Sequence, residues 1–194
     1  AIVDALGPHD AHIIVDFKMK WLPLEFREKQ NDFFGKRGNS WHGVAVILKR
    51  DGEIDIYYID QIIDNDDKQD AFAVGSCLEA VLLDIKLKFP FVKRVSLQSD
   101  NANCYASNVD VGLVFALGVK HGLPIVRFIN NEAGEGKDLV DQHFGVCGRY
   151  LRLFVASGKD CASPQQVVEG LRWRGGLHHS FCYLVTLNDK LADQ

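Results

Sequence analysis

The stretch Val95-Ser96-Leu97-Gln98-Ser99-Asp100-Asn101 decides how this chain is read. A β-branched and apolar run stops at an acid flanked by Ser and Asn. A buried strand reads this way when it carries one carboxylate to a sheet edge and then turns. His12-Ile13-Ile14-Val15-Asp16, upstream, has the same form. Downstream, Gly134-Glu135-Gly136-Lys137-Asp138-Leu139-Val140-Asp141-Gln142-His143-Phe144 opens a helix that carries further acids. Two strand-end aspartates and one helix aspartate, in that order, form the candidate site.

Working outward, Trp41–Lys49 and Ile54–Ile63 are strands joined by Asp51-Gly52, a two-residue hairpin signal. His12–Phe17 is a central strand. The segment from Lys18 through Gly38 fits neither period and is expected to be a long, partly helical connection turning at Gly35 and Gly38. Ala71–Phe89 has helical spacing (Val74, Leu78, Val81, Leu82, Ile85) and is closed by Pro90. Strand Val92–Leu97 follows and ends at Asp100. A helix over Val111–His121, capped by Asn108 or Asp110, comes next, then strand Pro124–Ile129 and a helix from about Lys137 to Ala156. The tail reads as a short helix Pro164–Trp173, a Gly175-Gly176 turn and a strand Ser180–Leu187. Residues 1–10 show no periodicity and are expected to be a loose lead-in.

A hairpin joined to βα units predicts a mixed five-stranded sheet flanked by helices, with a C-terminal helix-strand extension. The 194 residues are expected to make one domain, with a core at about 12–156 and the extension at 157–194. Opening on Ala1, the sequence is expected to be a fragment of a longer chain.

Hydrophobic residues make up 47% and charged residues 25%, and no apolar run reaches the roughly 20 residues that span a bilayer. No membrane partner is expected, and no signal-peptide pattern opens the chain. The five cysteines are odd in number and include no C-x-x-C pair, so reduced thiols in an intracellular compartment are expected. Cys77 and Cys147 fall in apolar helical patterns and are read as core residues. The net charge of −4 speaks against a dedicated nucleic-acid binder. Its distribution is uneven, with eight basic and three acidic residues over Lys18–Arg50 and eight acids over Asp51–Asp70. The first segment is a candidate phosphate-facing surface, and the second reads as a solvated turn and loop.

Converging carboxylates from separate elements suit a pair of hard divalent cations, which favour oxygen ligands. Asp138 and Asp141 share a helix face that continues through Gly145, Gly148 and Arg152. The opposite stripe, Val140, Phe144, Cys147, Leu151 and Phe154, is apolar. Each glycine costs a helix roughly 1 kcal/mol relative to Ala. Close approach of a polymer backbone, or of a neighbouring helix, would account for them.

These residues resemble the RNase H-like catalytic domain of DDE/DDD transposases and retroviral-type integrases, in particular transposase-derived proteins of eukaryotic genomes. The likeness is carried by Asp16-Phe17-Lys18-Met19-Lys20, Phe33-Phe34-Gly35-Lys36-Arg37-Gly38 before Trp41-His42, Ser99-Asp100-Asn101, and the Gly-x-Gly-Lys-x-x-x-Asp run ending at Asp141. It covers most of residues 12–156. It implies that Asp16, Asp100 and Asp141 hold Mg2+ or Mn2+, with Asp138 the rival third acid. Many relatives use Glu there, whereas Glu132 and Glu135 precede this helix. The resemblance further implies phosphodiester cleavage and joining on DNA (transposon ends and target), possible homo-oligomers and a nuclear location. Candidate nucleic-acid contacts are Lys18, Lys20, Lys36, Arg37, Lys137 and His143.

Other readings stand beside this one. A lone strand-end Asp is an ordinary turn residue. A domesticated, catalytically silent domain that binds nucleic acid or protein is the alternative from a different class, and a nuclease acting on RNA or hybrid is a third. Gly134–Gly136 could cradle a phosphate, and His178-His179 could bind metal.

Overall fold

The computed structural model describes residues 3–28, 36, 38–64, 71–100, 108–131 and 138–187. The strands are β1 (Asp10–Trp21), β2 (Asn39–Arg50), β3 (Glu53–Asp64), β4 (Arg94–Asp100), β5 (Ile125–Asn131) and β6 (Ser180–Thr186). The helices are α1 (Ala71–Lys88), α2 (Asn108–Lys120), α3 (Asp138–Ala156) and α4 (Pro164–Arg172). The sheet order is β5-β4-β1-β2-β3-β6.

The β2–β3 turn is fixed by chemistry. Asp51 and Gly52 both have positive φ, 52° and 87°, which is the two-residue turn that matches strand twist. Strand β2 runs antiparallel to β1 and β3, while β4 follows β1, β5 follows β4 and β6 follows β3 in parallel. Every strand except β2 therefore ends at the same edge. That edge is where ligands gather in such sheets.

The hairpin followed by βα units gives the mixed sheet flanked by helices expected from the sequence. The C-terminal extension adds a sixth strand, β6, beside β3. Its helix α4 starts on Ser163, whose hydroxyl accepts from the Gln166 N–H while the Gln166 side chain accepts from the Ser163 N–H, with Pro164 in the first turn.

Strand alternation sorts the core into two layers. Ala11, Ile13, Val15, Val44, Val46, Leu48, Val95 and Leu97 face α1 and α2. Ile14, Trp41, Ala45, Ile47 and Ile62 face α3 and α4, where they meet the expected stripe of α3. Burial of each such side chain contributes about 1.5–3 kcal/mol. Gly170 lets α4 lie tight on α3: a Cβ there would stand 2.6 Å from Leu151 Cδ2. Among the described residues no helix is long and apolar enough to cross a membrane.

Two sequence expectations are corrected. Lys18–Trp21 continue β1 and do not begin a loop, because Trp21 pairs with Asn39 at the start of β2, so Asp16 lies inside the strand and not at its end. A register shift between Lys18 and Trp21 turns the Trp21 ring into the α3/α4 layer, edge-on to Trp41 at 6.3 Å. The lead-in is also partly ordered: Val3–Ala5 form a 3-10 turn and Leu6 is buried in that same layer.

Candidate functional site

One rung crosses the whole sheet near its carboxyl edge. Asp16 on β1 pairs with Gly43 on β2, Gly43 with Asp60 on β3, and Asp60 with Cys182 on β6. On the other side, β1 and β4 pair as far as Val15 with Ser99, so Asp16 and Asp100 are the next residues on adjacent strands. Asp100 in turn pairs with Asn131 on β5. The Ser99 hydroxyl donates to Asn130 Oδ1 at 2.9 Å and ties β4 to β5 there.

Gly43 is the centre of the rung and the seat of α3. A Cβ at Gly43 would overlap the Phe144 ring and stand 3.1 Å from Val140 Cγ1. With no side chain in the way, the first turns of α3 press directly on the sheet between Asp16 and Asp60. Asp141 follows Val140 and is exposed. Asp138 begins α3. The side chains of Asp100 and Asp138 fall outside the description, as do Arg37 and Lys137 altogether. Asp16 is buried, at 6% exposure, on the α3 side of β1.

Lys18, two residues beyond Asp16, sends its ammonium over the rings of Phe144 (5.0 Å) and Trp41 (5.9 Å). It therefore belongs to the layer beneath α3 and not to a separate basic surface. Lys20 is exposed. Lys36 donates to the Pro23 carbonyl at 2.7 Å and pairs with Glu28. Lys49 and Arg50 lie at the far end of β2, roughly 30–36 Å along the strand from Asn39. The basic stretch of the sequence is thus not one surface.

His143 was expected to meet a phosphate. The structure turns it inward, at 6% exposure, because it shares the buried stripe of α3 with Val140 and Cys147. Its Nε2 donates to Asp60 Oδ2 at 2.8 Å, and Cys147 Sγ lies 3.3 Å from the same nitrogen. Tyr58 stacks on the imidazole at 4.0 Å and 2°. Asp60 also accepts from Trp41 Nε1 at 2.9 Å and from the Ser180 hydroxyl at 3.1 Å. Burial pushes the Cys147 and Cys182 thiols far above their ordinary range, with the nearby Asp60 charge adding to it.

Asp60 is the residue that sequence reading missed. It was counted among the acids of a solvated segment, yet it is 1% exposed. The available signal was its setting between Ile59 and Ile62-Ile63, a run that is apolar on both faces and leaves an internal residue no route to water.

No protein-family model matches the chain, and no curated protein matches it by sequence. Among solved structures it resembles the human cytomegalovirus terminase nuclease domain. The Mn-soaked, inhibitor-bound form aligns at 13% identity over 98% of this chain and 72% of that one, with a TM-score of 0.43. The Mn-soaked form aligns at 10% identity over 95% and 70%, with a TM-score of 0.44. A further structure of that domain gives 12% identity over 95% and 70%, again with a TM-score of 0.44. Alignments this distant equate no residue of this chain with a residue of theirs.

Proposed function

We propose that this chain is a metal-dependent nuclease or polynucleotidyl transferase domain acting on DNA, with Asp16, Asp100 and Asp141 as its metal-holding acids. One observation carries the reading. Asp16, inside β1, and Asp100, the last residue of β4, are the next residues on adjacent parallel strands beyond the Val15–Ser99 pair, and α3 seats its first turns on Gly43 beside Asp16. The donor set fits the group: carboxylate oxygens are the ligands Mg2+ and Mn2+ favour. When bound, such a pair of ions activates an attacking oxygen and stabilises the leaving one in an in-line displacement.

The chain's own residues do the rest. Asp16, buried on a central strand, offers a fixed carboxylate. Asp141, exposed on α3, offers one from the solvent side, with Asp138 as rival. Lys18 supplies positive charge on the face that carries Asp16, suited to a phosphate seated there. Lys20 is exposed one pleat further along for the flanking backbone.

The finer reading is a DDD transposase or integrase. It is supported by the element order of the three acids and by the Asp16-Phe17-Lys18-Met19-Lys20 and Ser99-Asp100-Asn101 motifs. On that reading water and then a DNA 3′-hydroxyl attack in turn, transposon ends and target DNA are the substrates, and a homo-oligomer holds the two ends.

Supercoiled plasmid nicking in Mn2+ tests the proposal. The chain should nick plasmid and be thermally stabilised by Mn2+, and Asp100→Asn should lose both effects while keeping its circular dichroism spectrum. Absence of nicking and of any Mn2+ shift points instead to a silent binding module. Cleavage confined to RNA–DNA hybrid points to the third reading.

A further inference from the structure

The geometry points to a metal centre separate from the carboxylates on β1 and β4, suited to Zn2+ and built from Asp60, His143 and Cys147. Their candidate ligand atoms, one each from Asp60, His143 and Cys147, lie within 4.8 Å of one another, and all three residues are buried. In a tetrahedral zinc centre, ligand atoms stand roughly 3.3–3.8 Å apart, which follows from bonds of about 2.0–2.3 Å. Here Nε2 lies 3.3 Å from Sγ and 2.8 Å from Oδ2, so an ion needs them to spread by about half an ångström.

Two features go beyond a chance cluster. His143 and Cys147 are four apart on α3, the spacing that puts two ligands on one helix face. The groups around them also do what outer partners of metal ligands do. Trp41 Nε1 holds Oδ1 of Asp60, which leaves Oδ2 turned to His143, and Tyr58 fixes the imidazole plane. Thiolate and imidazole donors favour Zn2+ over Mg2+ or Mn2+, so this centre is chemically distinct from the carboxylates on β1 and β4. It would clamp α3 to β3: Cys147 releases its thiol proton to solvent, and His143 shifts its ring proton to Nδ1, so that Nε2 gives up its hydrogen bond to Asp60 and both atoms turn to the ion. The inference does not depend on the nuclease reading.

The test uses the whole chain, loaded with Zn2+ or Co2+. Elemental analysis should give one zinc per chain after dialysis. The cobalt form should show thiolate-to-metal charge-transfer absorption in the near ultraviolet. Cys147→Ser should abolish that absorption. Asp16→Asn and Cys77→Ala should leave it intact. Zinc should raise the melting temperature of the wild-type chain by several degrees. Substoichiometric zinc with no charge-transfer band in the wild-type chain overturns the proposal, as does a band that Cys147→Ser leaves unchanged. Both wild-type measurements decide even where a variant fails to fold.

Discussion

His143 Nε2 lies 2.8 Å from Asp60 Oδ2 across a separation of 83 residues, and this bond pins the opening of α3 to the middle of the sheet. Both side chains are at least 95% buried. Removing one partner leaves the other polar and enclosed. His143→Ala should therefore lower unfolding stability by roughly 3 kcal/mol, read as a fall in urea midpoint at unchanged slope. Because Asp141 sits two residues away on the same helix, plasmid nicking should fall as well. A stability loss within 0.5 kcal/mol, the range of an ordinary surface substitution, would show that the bond is not holding the helix.

Gly43 makes a related demand on the same contact. Its position admits no Cβ without moving the Phe144 ring. Gly43→Ala should cost about 1–3 kcal/mol through overpacking and should displace α3 from the strands that carry Asp16 and Asp100. Phe144→Leu in the same chain should restore part of the stability by vacating the space. If the double variant is no more stable than the single one, the two sites are not coupled through this contact.

Much of the fold could be read from periodicity because most of its strands and helices bury apolar residues at regular intervals. The hairpin at Asp51-Gly52, the βα units and the helix-strand tail all carry local signals. What periodicity cannot find is a polar residue that is inside because a remote partner is inside. Asp60 and His143 are legible only together. His143 lies on the Val140–Cys147 stripe, and a polar residue on an apolar stripe asks for a partner that the local sequence does not name. Lys18–Trp21 were misread for a different reason. Phe17, Met19 and Trp21 do alternate with lysines, but the aromatic-basic mixture before Pro23 resembles a loop, and the register shift that carries Trp21 to the other layer leaves no mark in that alternation. Of the candidate acids, Asp16 and Asp100 lie on adjacent strands because each follows an apolar run, but only Asp100 ends its strand, since β1 runs on to Trp21. The third acid depended on where α3 docks, which Gly43 decides from a strand that carried no expectation of it.

Acid should weaken the fold through His42. Its imidazole is wholly buried, bonded through Nδ1 to Gln61 Oε1 at 2.7 Å, and burial pushes its pKa from the ordinary 6.5 down to about 4. The folded state thus excludes a proton that the unfolded chain takes up below pH 6.5. The stabilisation is fully present above pH 6.5 and is lost as pH falls from there toward 4, on the order of 3 kcal/mol in all. Urea midpoints measured from pH 7 to pH 4 should fall across that window. His42→Asn should start less stable at pH 7 and show a flatter profile. A parallel profile in the variant would assign the acid sensitivity elsewhere, with His12, which burial also shifts downward, as the next group to vary.

Gly145 separates a requirement of the fold from a requirement of the substrate. It lies on the Asp141 face of α3, and a Cβ there would meet nothing within 4 Å among the described residues. Gly148, one turn on, would meet only Trp21 and Arg152 at 3.8 Å, an ordinary contact. Neither glycine is needed for packing at these contacts, and a helix with Ala in place of Gly is more stable by about 0.5–1 kcal/mol. Gly145→Ala should therefore raise the melting temperature. If a DNA backbone passes close over Asp141, the added methyl should at the same time weaken DNA binding and slow nicking, and Gly145→Val should slow it further. A variant that gains stability and loses nothing in binding or cleavage would move the DNA path off this face of α3, and Asp141 would lose its place as the third acid along with it.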